Sequence, residues 1–168
     1  VWTLRNGVRV VVKPTDFMTD QVCLYARVPG GRSLLSDEEM LAAQVLDYYI
    51  GQTGVAESDA ALLRKQLAGK TVRCWPGTGA YENGFSGTSS PKDVETLLQL
   101  VYLYLAQPRF DGETFGVVME QLRHSYRNRT ADPSFRYGQE VNKTMYGGSP
   151  RRPYFVYDDI DGITLEQL

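Results

Sequence analysis

Leu41-Ala42-Ala43-Gln44-Val45-Leu46-Asp47-Tyr48-Tyr49 carries two patterns at once. Leu41, Ala42, Val45, Leu46 and Tyr49 recur at helical spacing, which gives one apolar face. Upstream, Ser36-Asp37-Glu38-Glu39 reads as a capping box, with Ser at the cap and Glu three residues on. Downstream, Gly51 is a natural stop. The pattern predicts a helix over Ser36–Ile50. Gln44 and Tyr48, four apart, share a face of it, and Asp47 lies beside them.

Strand signals precede this helix. Asn6-Gly7 sits between Trp2-Thr3-Leu4 and Val8-Arg9-Val10-Val11-Val12, the strongest short-range sign of a hairpin. From Gln21 to Val28 the apolar Val22, Leu24, Ala26 and Val28 alternate with Cys23, Tyr25 and Arg27, a half-buried strand ended by Pro29-Gly30-Gly31. After the helix, Ser58 is expected to cap a short helix through Leu67, closed by Gly69. Thr71–Trp75 and Ala80–Thr88 read as strands joined by a turn at Pro76-Gly77. Ser90-Pro91 opens a helix with a buried stripe of Leu97, Leu98, Val101 and Leu105. Asp111 caps a helix over Gly112–Arg129, and Asp132-Pro133 starts another that ends at Gly147-Gly148. Arg151 to Tyr157 reads as a loop or short strand. Strands, helices, a hairpin and three more helices make an α+β layout: an antiparallel or mixed sheet with helices packed on one face.

Composition narrows the functional classes. The 168 residues carry 18 Lys+Arg against 20 Asp+Glu, a net charge of −2, without the basic excess of a general nucleic-acid binder. At 42% hydrophobic and 23% charged the chain is globular and sized for one domain. The longest apolar run, Leu97–Ala106, is too short to span a bilayer, so no membrane span is expected. A single histidine, His124, excludes any His-His zinc site within the chain. Its neighbour Ser125 is adjacent on a helix, and adjacent helical residues do not face each other. Cys23 and Cys74 allow one disulfide but no disulfide framework. Tyr157-Asp158-Asp159-Ile160-Asp161-Gly162 fails as an EF-hand loop, because Tyr157 and Leu168 would occupy two ligand positions. Asn128-Arg129-Thr130 and Asn142-Lys143-Thr144 fit the glycosylation triplet, which is common by chance.

The opening Leu4-Arg5-Asn6-Gly7-Val8-Arg9, the Pro29-Gly30-Gly31-Arg32 segment and the Gln44–Tyr48 helix together resemble the start of a half-module of the M16 peptidases, the pitrilysin/insulinase family. Active members carry the inverted zinc motif H-x-x-E-H. Gln44 stands where the first His would be, Asp47 at the general-base Glu, and Tyr48 at the second His. Active members also carry two glutamates seven apart on a later helix. Glu113 and Glu120 have that spacing here, so Glu120 matches the third ligand position.

The resemblance implies a non-catalytic module. Catalytic zinc takes three protein ligands and a water. Gln and Tyr are poor substitutes for imidazole, and Asp47 has no activated water to deprotonate. No catalytic, metal-binding or cofactor-binding residue is therefore expected, and Gln44, Asp47, Tyr48 and Glu120 are degenerate motif positions. The expected organisation is one M16-like module over residues 1–168. Thr164-Leu165-Glu166-Gln167 is a capping box followed by one residue, so the module is expected to be cut short at its C-terminal end. By resemblance, its partners are a catalytic M16 module, in the same parent chain or a partner chain, and a peptide substrate. Zinc is expected in that catalytic module, and the family tilts the compartment towards the periplasm or secretion. The competing reading is an inactive M16-like scaffold or binding subunit without proteolysis.

Overall fold

The computed structural model describes residues 1–149, 151 and 160–168. Asn6-Gly7 closes a hairpin of two short antiparallel strands, β1 (Trp2–Thr3) and β2 (Arg9–Val10). Asn6 Oδ1 accepts from the Val8 amide at 3.2 Å. The main sheet comprises β3 (Val22–Pro29), β4 (Val72–Thr78) and β5 (Glu82–Ser89), antiparallel in the order β3-β5-β4. The register sets Leu24, Gly87 and Cys74 side by side, and Tyr25, Ser86 and Trp75 on the opposite face.

Five α-helices stand beside short 3-10 turns: α1 (Met40–Thr53), α2 (Ala60–Gln66), α3 (Val94–Ala106), α4 (Gly112–Arg129) and α5 (Pro133–Tyr146). Helix α3 packs on β4 and β5, and α1 packs on β4 and α4. Val22, Leu24, Ala26, Val72 and Cys74 are partly covered, while Tyr25, Arg27, Arg73 and Trp75 on the other face are exposed. The core joins Ala42, Val45 and Tyr49 of α1 to Val118 and Met119 of α4, with Ile160 and Ile163 closing it. Tyr49 is fully buried and stacks on Phe110, with Phe115 edge-on. Its hydroxyl accepts from the Asp111 amide at 2.7 Å and donates to the Asp111 carbonyl at 3.0 Å, so the α1 core residue also holds the start of α4.

Several boundaries differ from the sequence expectations. Glu39 does reach back to the Ser36 amide (2.7 Å) and hydroxyl (2.8 Å), but α1 begins only at Met40. Gly51 lies inside α1. The stop is Gly54, whose φ of 82° suits glycine and whose missing Cβ would meet the Ser58 carbonyl at 2.1 Å. Asp59, not Ser58, caps α2, accepting from the Leu62 amide at 2.7 Å. Pro76-Gly77 does not turn the chain. Strand β4 runs through both to Thr78, and it is an edge strand, where a proline missing its N–H is tolerated.

The α3 stripe is rotated from the expected one: Leu97 and Leu100 are buried, whereas Leu98 and Leu105 are exposed. Positions 97 and 100 lie three apart on one face, and 98 turns about 100° away from it. Cys23 and Cys74 are free thiols. They sit on opposite faces of strands separated by β5, roughly 10 Å apart at two strand spacings, beyond disulfide reach. The Asp111 and Asp132 caps form as expected. Apart from Arg151, Ile160 and Asp161, the expected loop or strand of 151–157 and the acidic stretch of 157–161 lie outside the described residues.

Candidate functional site

Helix α1 carries Gln44 and Tyr48 on a shared face, one turn apart, with Asp47 to the side of them. Asp47 points to the sheet: its Oδ1 accepts from the Thr78 amide at 3.0 Å, at the end of β4. Its Oδ2 lies 3.7 Å from Arg32 NH1, an ion-pair distance too long for a hydrogen bond. Burial, the largest influence, pushes the Asp47 carboxyl above its ordinary value, against the hydrogen bond from Thr78 and the charge of Arg32. Tyr48 points to α4, where its hydroxyl donates to Gln121 Oε1 at 3.1 Å. The same oxygen accepts from Gln52 Nε2 at 3.4 Å. Gln44, one turn before Tyr48, lines a cleft instead.

Glu120 does not join them. Its carboxylate is exposed and pairs with Arg123 at 2.7 Å, and Arg123 also holds Asp161 at 2.7 Å. The expectation that Glu120 faces the motif residues is corrected by helix geometry. Val118 marks the inward side of α4. Measured from the centre of the face formed by Phe115, Val118, Met119 and Leu122, residue 120 lies about 150° round and residue 121 about 110°. Gln121 flanks that face and is the α4 side chain hydrogen-bonded to Tyr48. The seven-residue glutamate spacing drew attention to the wrong position, since Glu113 is also exposed. The apolar positions Phe115, Val118, Met119 and Leu122 were the signal that could have oriented the helix.

The donor set does not fit zinc. The Tyr48 hydroxyl is spent on donating a proton to an amide oxygen, and that amide oxygen is shared with Gln52. Neutral amides and a protonated phenol are weak ligands beside imidazole and carboxylate. Among the described residues no group of three His, Cys, Asp or Glu side chains could hold a metal ion. His124 lies elsewhere, late in α4, with Nδ1 3.3 Å from Asn128 Nδ2. Among the described residues no helix is long and apolar enough to cross a membrane.

No protein-family model matches the chain. A curated protein of Arabidopsis thaliana named zinc protease PQQL-like is 29% identical over 148 residues. That alignment covers 88% of this chain but 13% of the Arabidopsis protein. Among solved structures, the periplasmic protease PqqL from Escherichia coli superposes with a TM-score of 0.78 at 16% identity, over 98% of this chain and 18% of PqqL. The ferredoxin protease FusC, solved in complex with Arabidopsis ferredoxin, gives 0.66 at 19% identity, over 88% of this chain and 16% of FusC. The two structural likenesses carry the fold, and the chain spans less than a fifth of each relative.

Proposed function

We propose that the chain is a non-catalytic segment of an M16, or pitrilysin-type, zinc metallopeptidase, a reading supported by its likeness to the zinc protease PQQL-like and to PqqL. In this reading it helps enclose a peptide substrate and pairs with a catalytic module, in the same parent chain or a partner chain. Zinc belongs to that catalytic module. The observation that carries the reading is the side-chain set at the motif positions: Gln44 and Tyr48 on α1, joined to α4 by a Tyr48–Gln121 hydrogen bond. Asp47, at the general-base position, accepts from the Thr78 backbone amide and lies at ion-pair distance from Arg32. The small share of each relative that the chain covers supports a segment working beside other modules. The periplasmic location named for the Escherichia coli neighbour supports the same compartment here.

The test has two arms. Metal analysis and peptide cleavage are measured on the chain alone, and size-exclusion and cleavage on the chain mixed with a catalytic M16 segment bearing H-x-x-E-H. The expected result is no stoichiometric zinc and no cleavage alone, with complex formation and raised cleavage on mixing. Chelator-sensitive cleavage by the chain alone would overturn the reading. Failure to associate with any catalytic segment would leave the scaffold alternative in its place.

A further inference from the structure

Between α1, α5 and the β4–β5 turn lies a cleft of ≈ 710 Å³, lined by Arg32, Gln44, Tyr81, Asn142 and Arg151 among others. The 3-10 turn Gly31–Leu34 forms its rim. Glycine is required at its first residue. Gly31 has φ 66°, and a Cβ there would meet the Gly79 carbonyl at 2.5 Å and the Glu82 amide at 2.6 Å. The rim is fastened to the β4–β5 turn by the Arg32 amide donating to Gly79 O (2.9 Å) and the Ser33 amide donating to Ala80 O (2.8 Å). Arg151 fastens it from the other side, donating to the carbonyls of Arg32 (3.1 Å) and Leu35 (3.0 Å) and pairing with Asp37 at 3.1 Å.

Arg32 is thus held rigidly by its backbone, while its guanidinium has no hydrogen-bond acceptor among the described residues; Asp47 stands off at 3.7 Å. The half-buried amides of Gln44 and Asn142 likewise have no hydrogen-bond partner among the described residues. Polar side chains that line one cleft and have no hydrogen-bond partner among the described residues can serve a polar ligand there. A planar guanidinium fork matches a carboxylate. Local charge selects among anions. Among the described residues the two lining arginines each stand beside an aspartate, Arg32 beside Asp47 and Arg151 beside Asp37, so these four side chains sum to no net charge. Such a set tolerates one negative charge and disfavours the two of a phosphate.

We propose that this cleft binds a peptide carboxylate, through a forked contact from Arg32 supported by the side-chain amides of Gln44 and Asn142. The carboxylate would come from an acidic side chain or a chain end of an enclosed peptide. The identity of that supplier rests on the function proposed above, but the site itself does not. Isotope-labelled chain is titrated with N-acetyl-trialanine, with its C-terminal amide, and with inorganic phosphate, following by NMR the backbone amide signals of the Gly31–Leu34 turn in every variant and the side-chain amide signals of Gln44 and Asn142 where those residues are kept. The acid should bind at least tenfold more tightly than the amide and more tightly than phosphate, and should weaken as salt is raised. Arg32→Gln should lower affinity at least tenfold and Gln44→Ala several-fold, each in a chain whose other signals stay native. If Arg32→Gln disturbs the fold, Gln44→Ala and Asn142→Ala together carry the test. Equal binding of acid and amide, tighter binding of phosphate, or indifference to these substitutions would overturn the site. Carboxylate binding without association to a catalytic segment sinks only the function reading, and association without carboxylate binding sinks only this one.

Discussion

Val45 and Tyr49 on one side of α1 are buried against Val118 and Met119 of α4. Gln44, Asp47 and Tyr48 on its other sides meet one or two polar partners or an open cleft. The buried face depends on shape and hydrophobic burial, which any chemistry on the other faces leaves untouched. The polar positions are therefore free to hold imidazoles or amides while the fold stays the same. That separation is how a chain with one histidine can share its architecture with proteins named as proteases.

The sharpest way to break the comparison is to damage the buried face. Tyr49→Ala removes a fully buried ring that touches Phe110 and Phe115, and should cost about 3–5 kcal/mol in denaturant unfolding. Tyr49→Phe keeps the ring but strands the Asp111 amide, while the Asp111 carbonyl keeps the Phe115 amide as donor, and should cost about 1–3 kcal/mol. If either change proves as mild as Gln44→Ala, the contrast between the faces is wrong.

The polar side should instead accept new chemistry. Gln44→His, Asp47→Glu and Tyr48→His place two imidazoles four residues apart on α1. Adding Gln121→Glu supplies a carboxylate from α4 at the position that already reaches Tyr48. This fourfold variant should bind zinc at least tenfold more tightly than the threefold one, worth about 1.4 kcal/mol, with affinity limited by the lack of tuned support for the new rings. Glu120→Ala should make no difference, because that carboxylate turns to Arg123. Zinc titration in which Glu120→Ala matters and Gln121→Glu does not would restore the assignment made from sequence spacing.

Legibility in the sequence followed the same divide. The caps at Asp111 and Asp132 and the span of α4 were readable because each depends on local chemistry: a carboxylate accepting from an amide two or three residues on. The end of α1 was not, because whether Gly51 or Gly54 stops the helix depends on the Ser58 segment packing against it. Pro76-Gly77 misled for a related reason, since only the strand order makes β4 an edge that accepts proline. At the candidate site, spacing placed Gln44, Asp47 and Tyr48 on one helix but said nothing of which α4 residue faces them. Arg32 and Asn142, 110 positions apart in the numbering, meet in one cleft only through the fold.

A smaller effect comes from the cap of α4. Asp111 accepts from the Thr114 amide at 2.8 Å and hydroxyl at 2.9 Å. Burial, the largest single influence, pushes its carboxyl up, but Thr114 and Arg109 together outweigh burial and hold it below the ordinary 3.8. A depressed value means stability is present above about pH 3.8 and is lost as pH falls through the folded value. Asp111→Ala should cost about 1 kcal/mol at pH 7, with the difference from the natural chain narrowing in acid. Asp111→Asn, which can still cap, should recover most of it. A cost independent of pH would mean that the charge contributes nothing.

The smallest expected effect tests the polar side by its charge, and its sign is opposite. Burial raises the Asp47 carboxyl above 3.8, so between that value and the raised one the folded chain holds more proton than the unfolded chain does. Stability from this group is then present at low pH and declines as pH rises through the raised value. Asp47→Asn removes the titration but keeps an oxygen to accept from the Thr78 amide. Its stability relative to the natural chain should therefore rise on going from pH 3.5 to pH 7. The side chain is one-third exposed, so solvent screening should hold the change to a few tenths of a kcal/mol. Asp47→Ala provides the contrast, since it orphans the Thr78 amide and should cost about 1 kcal/mol across the range. If Asp47→Asn instead loses ground as pH rises, attraction to Arg32 outweighs burial. Asp47 and Arg32 would then form a working ion pair, leaving the guanidinium less free for the carboxylate proposed in the adjoining cleft.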